Sequence, residues 1–329
     1  MKNKKIIKLL TLLFCLISLQ TYSKATEKIE VDGLSYYYGF GVEKNYEKAR
    51  KRLAASTCST TTPLLLLIYI NGDGLKRDYK QALKIWKYSV TKGNNSKDAT
   101  MEYLYEIITD RMKHPNKQYK RLEYWDIAMT TIDINISMWV QNAVQKQKDD
   151  KIIAKIKKTM TPKQTKYFKN IEKYFAGIET NDADRAYALY MKGTIRVAMH
   201  HGTLAYLRER HQKRIHDFII NRKYPKISQK DFLQADKKLN LIYQKIKKIN
   251  IKIYQDDNEP KFIKLTNDMQ KYLKLSQRNW IKYRDNWVLL INSLNNNSDN
   301  RSRTISIKTI ITKSRIEELA SSVDRFKDI

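Results

Sequence analysis

The chain has 329 residues, with 64 Lys and Arg against 34 Asp and Glu, for a formal net charge of +30. Only 9 Gly, 5 Pro and 2 Cys occur, and 42% of the residues are hydrophobic, which excludes a collagen-like chain, a disulfide-stapled miniprotein and a low-complexity coil. Apolar residues recur at three- and four-residue spacings, so an all-α protein with room for two or three domains is expected.

Residues 1–25 read as a secretion signal. Lys2, Lys4 and Lys5 form a basic head, Leu9–Leu19 is apolar, and Ser23-Lys24-Ala25 is a small-x-small cleavage site. The apolar run is too short to span a bilayer. Bulky Phe14 before Cys15 argues against a lipoprotein, and nothing after Ala25 reads as a transmembrane helix. An exported, periplasmic protein is expected. Cleavage removes five lysines and no acid, leaving +25, and Cys58 would then have no partner for an internal disulfide.

Residues 26–130 contain an internal repeat of period 33. Leu34, Tyr36, Gly39, Gly41, Tyr46 and Ala49 recur as Leu67, Tyr69, Gly72, Gly74, Tyr79 and Ala82. The glycine pairs fall between two helical phrases, where a sharp turn needs φ > 0, and the alanines permit close helix approach. A helical phrase precedes each Gly-x-Gly, whereas a phosphate-cradling loop would follow a buried strand. The pattern G-x-G-V/L-x-x-[DN]-Y-x-x-A resembles Sel-like repeats, helix-turn-helix relatives of tetratricopeptide repeats. That resemblance implies a solenoid that docks other proteins. A degenerate third copy is expected from Met101 to Met129, with Leu122 and Trp125 standing where Ala82 and Ile85 stand.

Residues 131–225 form a helical middle region, and the stretch from 117 to 158, which overlaps its start, reads as amphipathic helix. Thr161-Pro162-Lys163-Gln164 is a capping-box helix start, and Pro225 marks a linker over Asn221–Ser228. Ser228 with Asp231 opens the final region, 226–329, in the same fashion.

Two phrases then stand out: Ala235-Asp236-Lys-Lys-Leu239-Asn240-Leu-Ile-Tyr243 and Gln277-Arg278-Asn279-Trp280-Ile281-Lys282-Tyr283-Arg284-Asp285. Polar residues at matched spacings on two apolar-striped helices predict a polar network between antiparallel neighbours. Asp236 is expected to pair with Arg284, flanked by Asn240, Gln277 and Tyr243, with Trp280 in the core. The network reads as a register lock, with direct ligand binding as the other possibility. The connector Asp256-Asp257-Asn258-Glu259 is an acidic spot in a basic chain, either a solvated turn or the prong that meets a partner.

These phrases resemble the lysozyme-inhibitor LprI-like domain of secreted bacterial proteins, over roughly residues 228–323. Thr312-Lys-Ser-Arg315-Ile-Glu-Glu-Leu319 echoes the end of the same pattern. That family's usual cysteine after the R-D pair is missing, because Trp287 and Val288 stand there. At an offset of 105, Tyr167, Phe168, Phe175 and Arg210 match Tyr272, Leu273, Trp280 and Arg315. This is open to two readings, a decayed second copy of the module or chance.

No catalytic pattern emerges. His200, His201, His211 and His216 share one helical region without metal-ligand spacing, and no nucleophile elbow occurs. The expectation is a non-enzymatic binding protein with no cofactor and a protein partner. The resemblance implies inhibition of lysozyme or a related peptidoglycan hydrolase, and the alternative is an envelope scaffold or adaptor. The lysines are scattered, so they read as solvated helix faces rather than a polymer-binding run. They would supply at most weak, salt-sensitive binding to anionic polymers. A charge of +25 would also slow encounter with a basic lysozyme, so a local acidic patch is required if that is the target.

Overall fold

A computed structural model describes residues 33–56, 61–91, 98–191, 193–252, 259–295 and 299–324. Among them every regular element is helical and none is a strand, so the expected all-α class holds. No described helix is long and apolar enough to cross a membrane. The leader at 1–25, Cys58, Asp256 and Asp257 lie outside the described residues. The chain divides into two compact units, Met1–Val144 and Gln145–Ile329.

The first unit is built from two helical hairpins. Helix α1 (residues 33–38) turns into α2 (Tyr46–Ala55), and α3 (Thr61–Asn71) turns into α4 (Tyr79–Thr91). The turns are the same structure at a spacing of 33. Gly39 and Phe40 donate N–H bonds to Ser35 O, and Gly72 and Asp73 donate to Ile68 O. Asn45 N–H reaches Tyr36 O as Asp78 N–H reaches Tyr69 O. Gly39, Gly41, Gly72 and Gly74 all have φ between 67° and 79°, where a side chain is strained. Asn45 and Asp78 then cap α2 and α4 by accepting from the N–H groups of Lys48 and Gln81. Helix α3 is apolar all round, with Leu66, Leu67, Ile68 and Ile70 fully buried, and forms the centre of the core.

The degenerate third copy takes a different form. Helix α5 (Ala99–Lys113) is present, but an extended stretch and a single 3-10 turn, Tyr124–Asp126, replace its second helix. Helix α6 begins at Thr131 rather than at 117 and runs to Lys158. The extended stretch is tied down by tertiary bonds that local pattern does not reveal. Asn71 donates to Leu122 O and accepts from Leu122 N–H, which closes a two-bond clamp between α3 and this segment. Arg121 pairs with buried Asp73, which also accepts from Tyr37 Oη.

The second unit stacks long helices: α7 (Pro162–Leu189), α8 (Arg196–Ile215) with a π-helical extension His216–Ile220, α9 (Gln229–Lys252), α10 (Pro260–Leu294) and α11 (Asn300–Asp324). The expected starts are present. Thr161 and Gln164 form a capping box, and Ser228 Oγ accepts from Asp231 N–H. Helices α7 and α10 run antiparallel as the central pair. Gln164 donates to Ser293 O, Asn170 to Asn286, and Gly177 sits against Asn279. A Cβ at Gly177 would lie 2.8 Å from Asn279 Cγ, so glycine sets that close approach. Phe168, Ile171, Leu273, Trp280, Tyr283 and Trp287 fill the core between these helices and their neighbours.

Candidate functional site

The centre of the second unit is charged. Arg315, on α11, is fully buried. Its guanidinium donates to Asp182 Oδ2 on α7 at 2.6 Å, to Ser276 Oγ on α10 at 2.7 Å, and to Gln277 Oε1 and Glu318 Oε2 at 3.4 Å. One side chain thereby ties three helices. Burial alone would raise the Asp182 pKa, but the Arg315 and Arg185 guanidiniums more than offset it and hold the carboxyl below its ordinary value. Burial would likewise lower Arg315, and Asp182 and Glu318 reverse that.

The network continues through α8. Arg214 pairs with Glu318 and donates to Tyr283 Oη at 3.2 Å. Tyr283 Oη lies 2.9 Å from His211 Nδ1, and His211 Nε2 lies 2.9 Å from Glu172 Oε1. With Tyr283 accepting from Arg214, its hydroxyl hydrogen is free to reach Nδ1 while Nε2 donates to Glu172. The His211 ring stacks on Phe175 at 4.1 Å between centroids. Arg210 meets Glu317 and Ser314 nearer the surface.

A Glu–His–Tyr sequence can serve proton transfer, but here His211 is 2% and Tyr283 is 1% exposed. Both groups are closed to solvent, and their bonds tie α7, α8 and α10 together. Buried ions of this kind cost desolvation and are retained where each partner satisfies another.

The expected Asp236–Arg284 pair does not form. Arg284 bonds its own neighbour Asp285 at 2.9 Å and lays its guanidinium 5.1 Å from the centre of the Trp280 ring. Asp236 is half-buried, with exposed Asn240 3.5 Å away on the same helix. Two physical reasons account for this. Helix α9 packs mainly along α11, where Ala235 shares a surface cleft with Lys313 and Ile316. Where α9 does meet α10, Gln270 donates to Lys247 O. Continuing that antiparallel register puts Asp236 opposite Ile281 rather than Arg284.

The other motif residues have separate roles. Gln277 accepts from Arg315, Tyr243 is half-buried on the shared core, and Trp280 is 2% exposed. Glu259 stands just before α10, exposed and paired with Lys261. Gly39, Gly41, Gly72 and Gly74 are the repeat turns.

Sequence reasoning singles out neither Asp182 nor Arg214, weighs His211 only as a metal ligand, and passes over Glu318 inside a quoted phrase. A partial signal existed, since Asp182 and Arg185 interrupt the apolar face of a helical phrase. Arg210 and Arg214 also lie one turn apart, as do Ser314 and Glu318.

The turn between α10 and α11 falls at nearly the same offset from the turn between α7 and α8 as the matched residues do. Helix α7 ends at Leu189 and α10 at Leu294, while α8 starts at Arg196 and α11 at Asn300. Phe168 and Leu273, Phe175 and Trp280, and Ile178 and Tyr283 are buried pairs at the 105-residue offset. Shifting both helices by that offset carries the Gln164–Ser293 pair onto Met269 and Ala188, which share a small buried cluster at the opposite end.

Residues 223–319 match the family model of lysozyme inhibitor LprI. The LprI match spans under a third of the chain and takes in α9, α10 and most of α11, with Arg315, Ser276, Gln277, Tyr283 and Glu318 inside it and their partners Asp182, His211 and Arg214 outside it. No curated protein and no solved structure matches the chain. The LprI segment supports a binding function directed at a protein.

Proposed function

We propose that the LprI-like segment is a protein-binding module that inhibits a lysozyme-type peptidoglycan hydrolase, carried by an exported, periplasmic protein whose leader is cleaved after Ala25. The match of residues 223–319 to lysozyme inhibitor LprI carries the reading. The family of the matched segment supports a non-catalytic reading, and the Glu172–His211–Tyr283 constellation has its histidine and tyrosine closed to solvent. Helices α7 and α8 are a decayed second copy of the module, a reading supported by the common helix ends and by the exchange of facing pairs. The duplication supplies a rigid antiparallel core where the family's cysteine is missing, with Arg315 tying the copies together through Asp182. The two N-terminal hairpins are Sel-like repeats. Their identical turn geometry favours a second activity as a docking scaffold for an envelope protein.

The decisive experiment incubates the mature chain with basic and acidic muramidases and follows lysis of a peptidoglycan suspension. Stoichiometric inhibition of at least one enzyme is expected. Unchanged lysis by all of them would overturn the inhibitor reading and leave the scaffold reading. The latter predicts capture of an envelope protein that is lost on substituting exposed residues of α2 and α4.

A further inference from the structure

Beside the N-terminal end of α10 and the C-terminal end of α7, the second unit opens a groove of about 880 Å³. Its floor is apolar, with Phe262, Leu265 and Ala188, and its walls carry Tyr187 and Tyr272. Asp184 on α7 and Asp268 on α10 line the groove with Tyr272, whose pKa is raised by burial first and then by the charges of Asp268 and Asp184. In a chain of net charge +30, this is a negative focus.

Three carboxylates, Asp184, Asp268 and Glu259, and two lysines, Lys261 and Lys264, line the groove, so one negative charge is in excess. Glu259 and Lys261 neutralise each other at 2.6 Å, so the wall charges left to face an occupant are Asp184, Asp268 and Lys264. Asp184 has His200 Nε2 at 3.4 Å, and no ion pair to Asp268 forms among the described residues. Two half-buried carboxylates beside two phenol rings over an apolar floor fit a cation carried on a hydrocarbon stem. The carboxylates take the charge, an aromatic ring takes the cation over its face, and the floor takes the methylenes.

We propose that this groove is the docking surface for a lysine or arginine side chain presented by a basic protein. The proposal rests on the inhibitor reading above and names the surface through which it operates. It also resolves the charge conflict between two basic proteins. Long-range repulsion from scattered lysines is screened within about 8 Å at physiological ionic strength, while the contact itself is between opposite charges.

The test titrates the full mature chain and the double variant D184N/D268N with two probes, a basic muramidase and a short arginine-rich peptide. Both probes are expected to bind the wild type. Each should lose at least about tenfold in affinity in the double variant, with circular dichroism unchanged, because two charge-assisted contacts are removed. Asp231→Asn, on a separate surface of α9, should change nothing. Equal muramidase binding by wild type and double variant would overturn the groove and leave the inhibitor reading standing. Carboxylate-dependent peptide binding with no muramidase bound would keep the groove as a cation site and overturn a basic muramidase as its occupant. No binding of either probe to the wild type would overturn the groove.

Discussion

The two units of this chain reach a unique helical packing by different means. In the first unit, register is written into the backbone: paired glycines with positive φ turn each hairpin, and an apolar α3 fills the centre. In the second, long helices could slide along one another, and a fully buried arginine with two buried carboxylates selects one alignment. Turn geometry specifies locally and tolerates a generic core. Ion pairs specify across more than a hundred residues of sequence, at the cost of desolvation.

The largest effect should come from breaking the second device. Arg315→Met leaves Asp182 and Glu318 without their shared partner and should cost about 3–5 kcal/mol of stability. Urea denaturation would give the magnitude. Hydrogen exchange should show the loss across α7, α10 and α11 and spare α1–α4. A loss confined to α11 would break the comparison.

The same ion pair sets a pH dependence. The Asp182 pKa is depressed in the folded state, so its contribution is fully present above the unfolded carboxyl value of about 3.9 and is lost as pH falls through the folded value. Thermal melts should show the second unit weakening below about pH 4, and Asp182→Asn should flatten that part of the profile.

The first device is tested by its glycines. Gly72→Ala and Gly41→Ala both force a side chain into left-handed backbone, costing about 1–2 kcal/mol. Gly72 should cost more, because its Cβ would lie 2.8 Å from Arg77 Cγ and 3.0 Å from Leu75 O, whereas nothing lies within 4 Å at Gly41. Equal losses would mean that φ alone governs the turn.

Arg284→Ala should give the smallest change, about 0.5–1 kcal/mol from the lost contact with the Trp280 ring. A loss as large as that of Arg315→Met would restore Arg284 to the centre of the network.

The contrast explains what could be read beforehand. The hairpins of the first unit were legible because turn chemistry is local: a Gly-x-Gly between helical phrases has one economical conformation. The third repeat was misjudged because Leu122 and Trp125 keep the apolar spacing of a helix, while Asn71 holds that stretch extended from a distance of 51 residues. In the second unit the polar residues of the motif were visible, but their partners were not. Asp236 and Arg284 are at matched spacings, and a three-residue difference in helix register suffices to separate them.

Composition, the repeat of glycines, the capping boxes and the LprI-like phrases thus determine an all-helical chain, the helix starts and the kind of module at its C-terminal end. They do so because each depends on neighbours within a few turns. Tertiary structure alone decided that Arg315 would meet Asp182 across 133 residues and that Asp184 and Asp268 would line one groove. Such contacts follow from how long helices stack, and helix periodicity fixes which face is buried without fixing which helix will cover it.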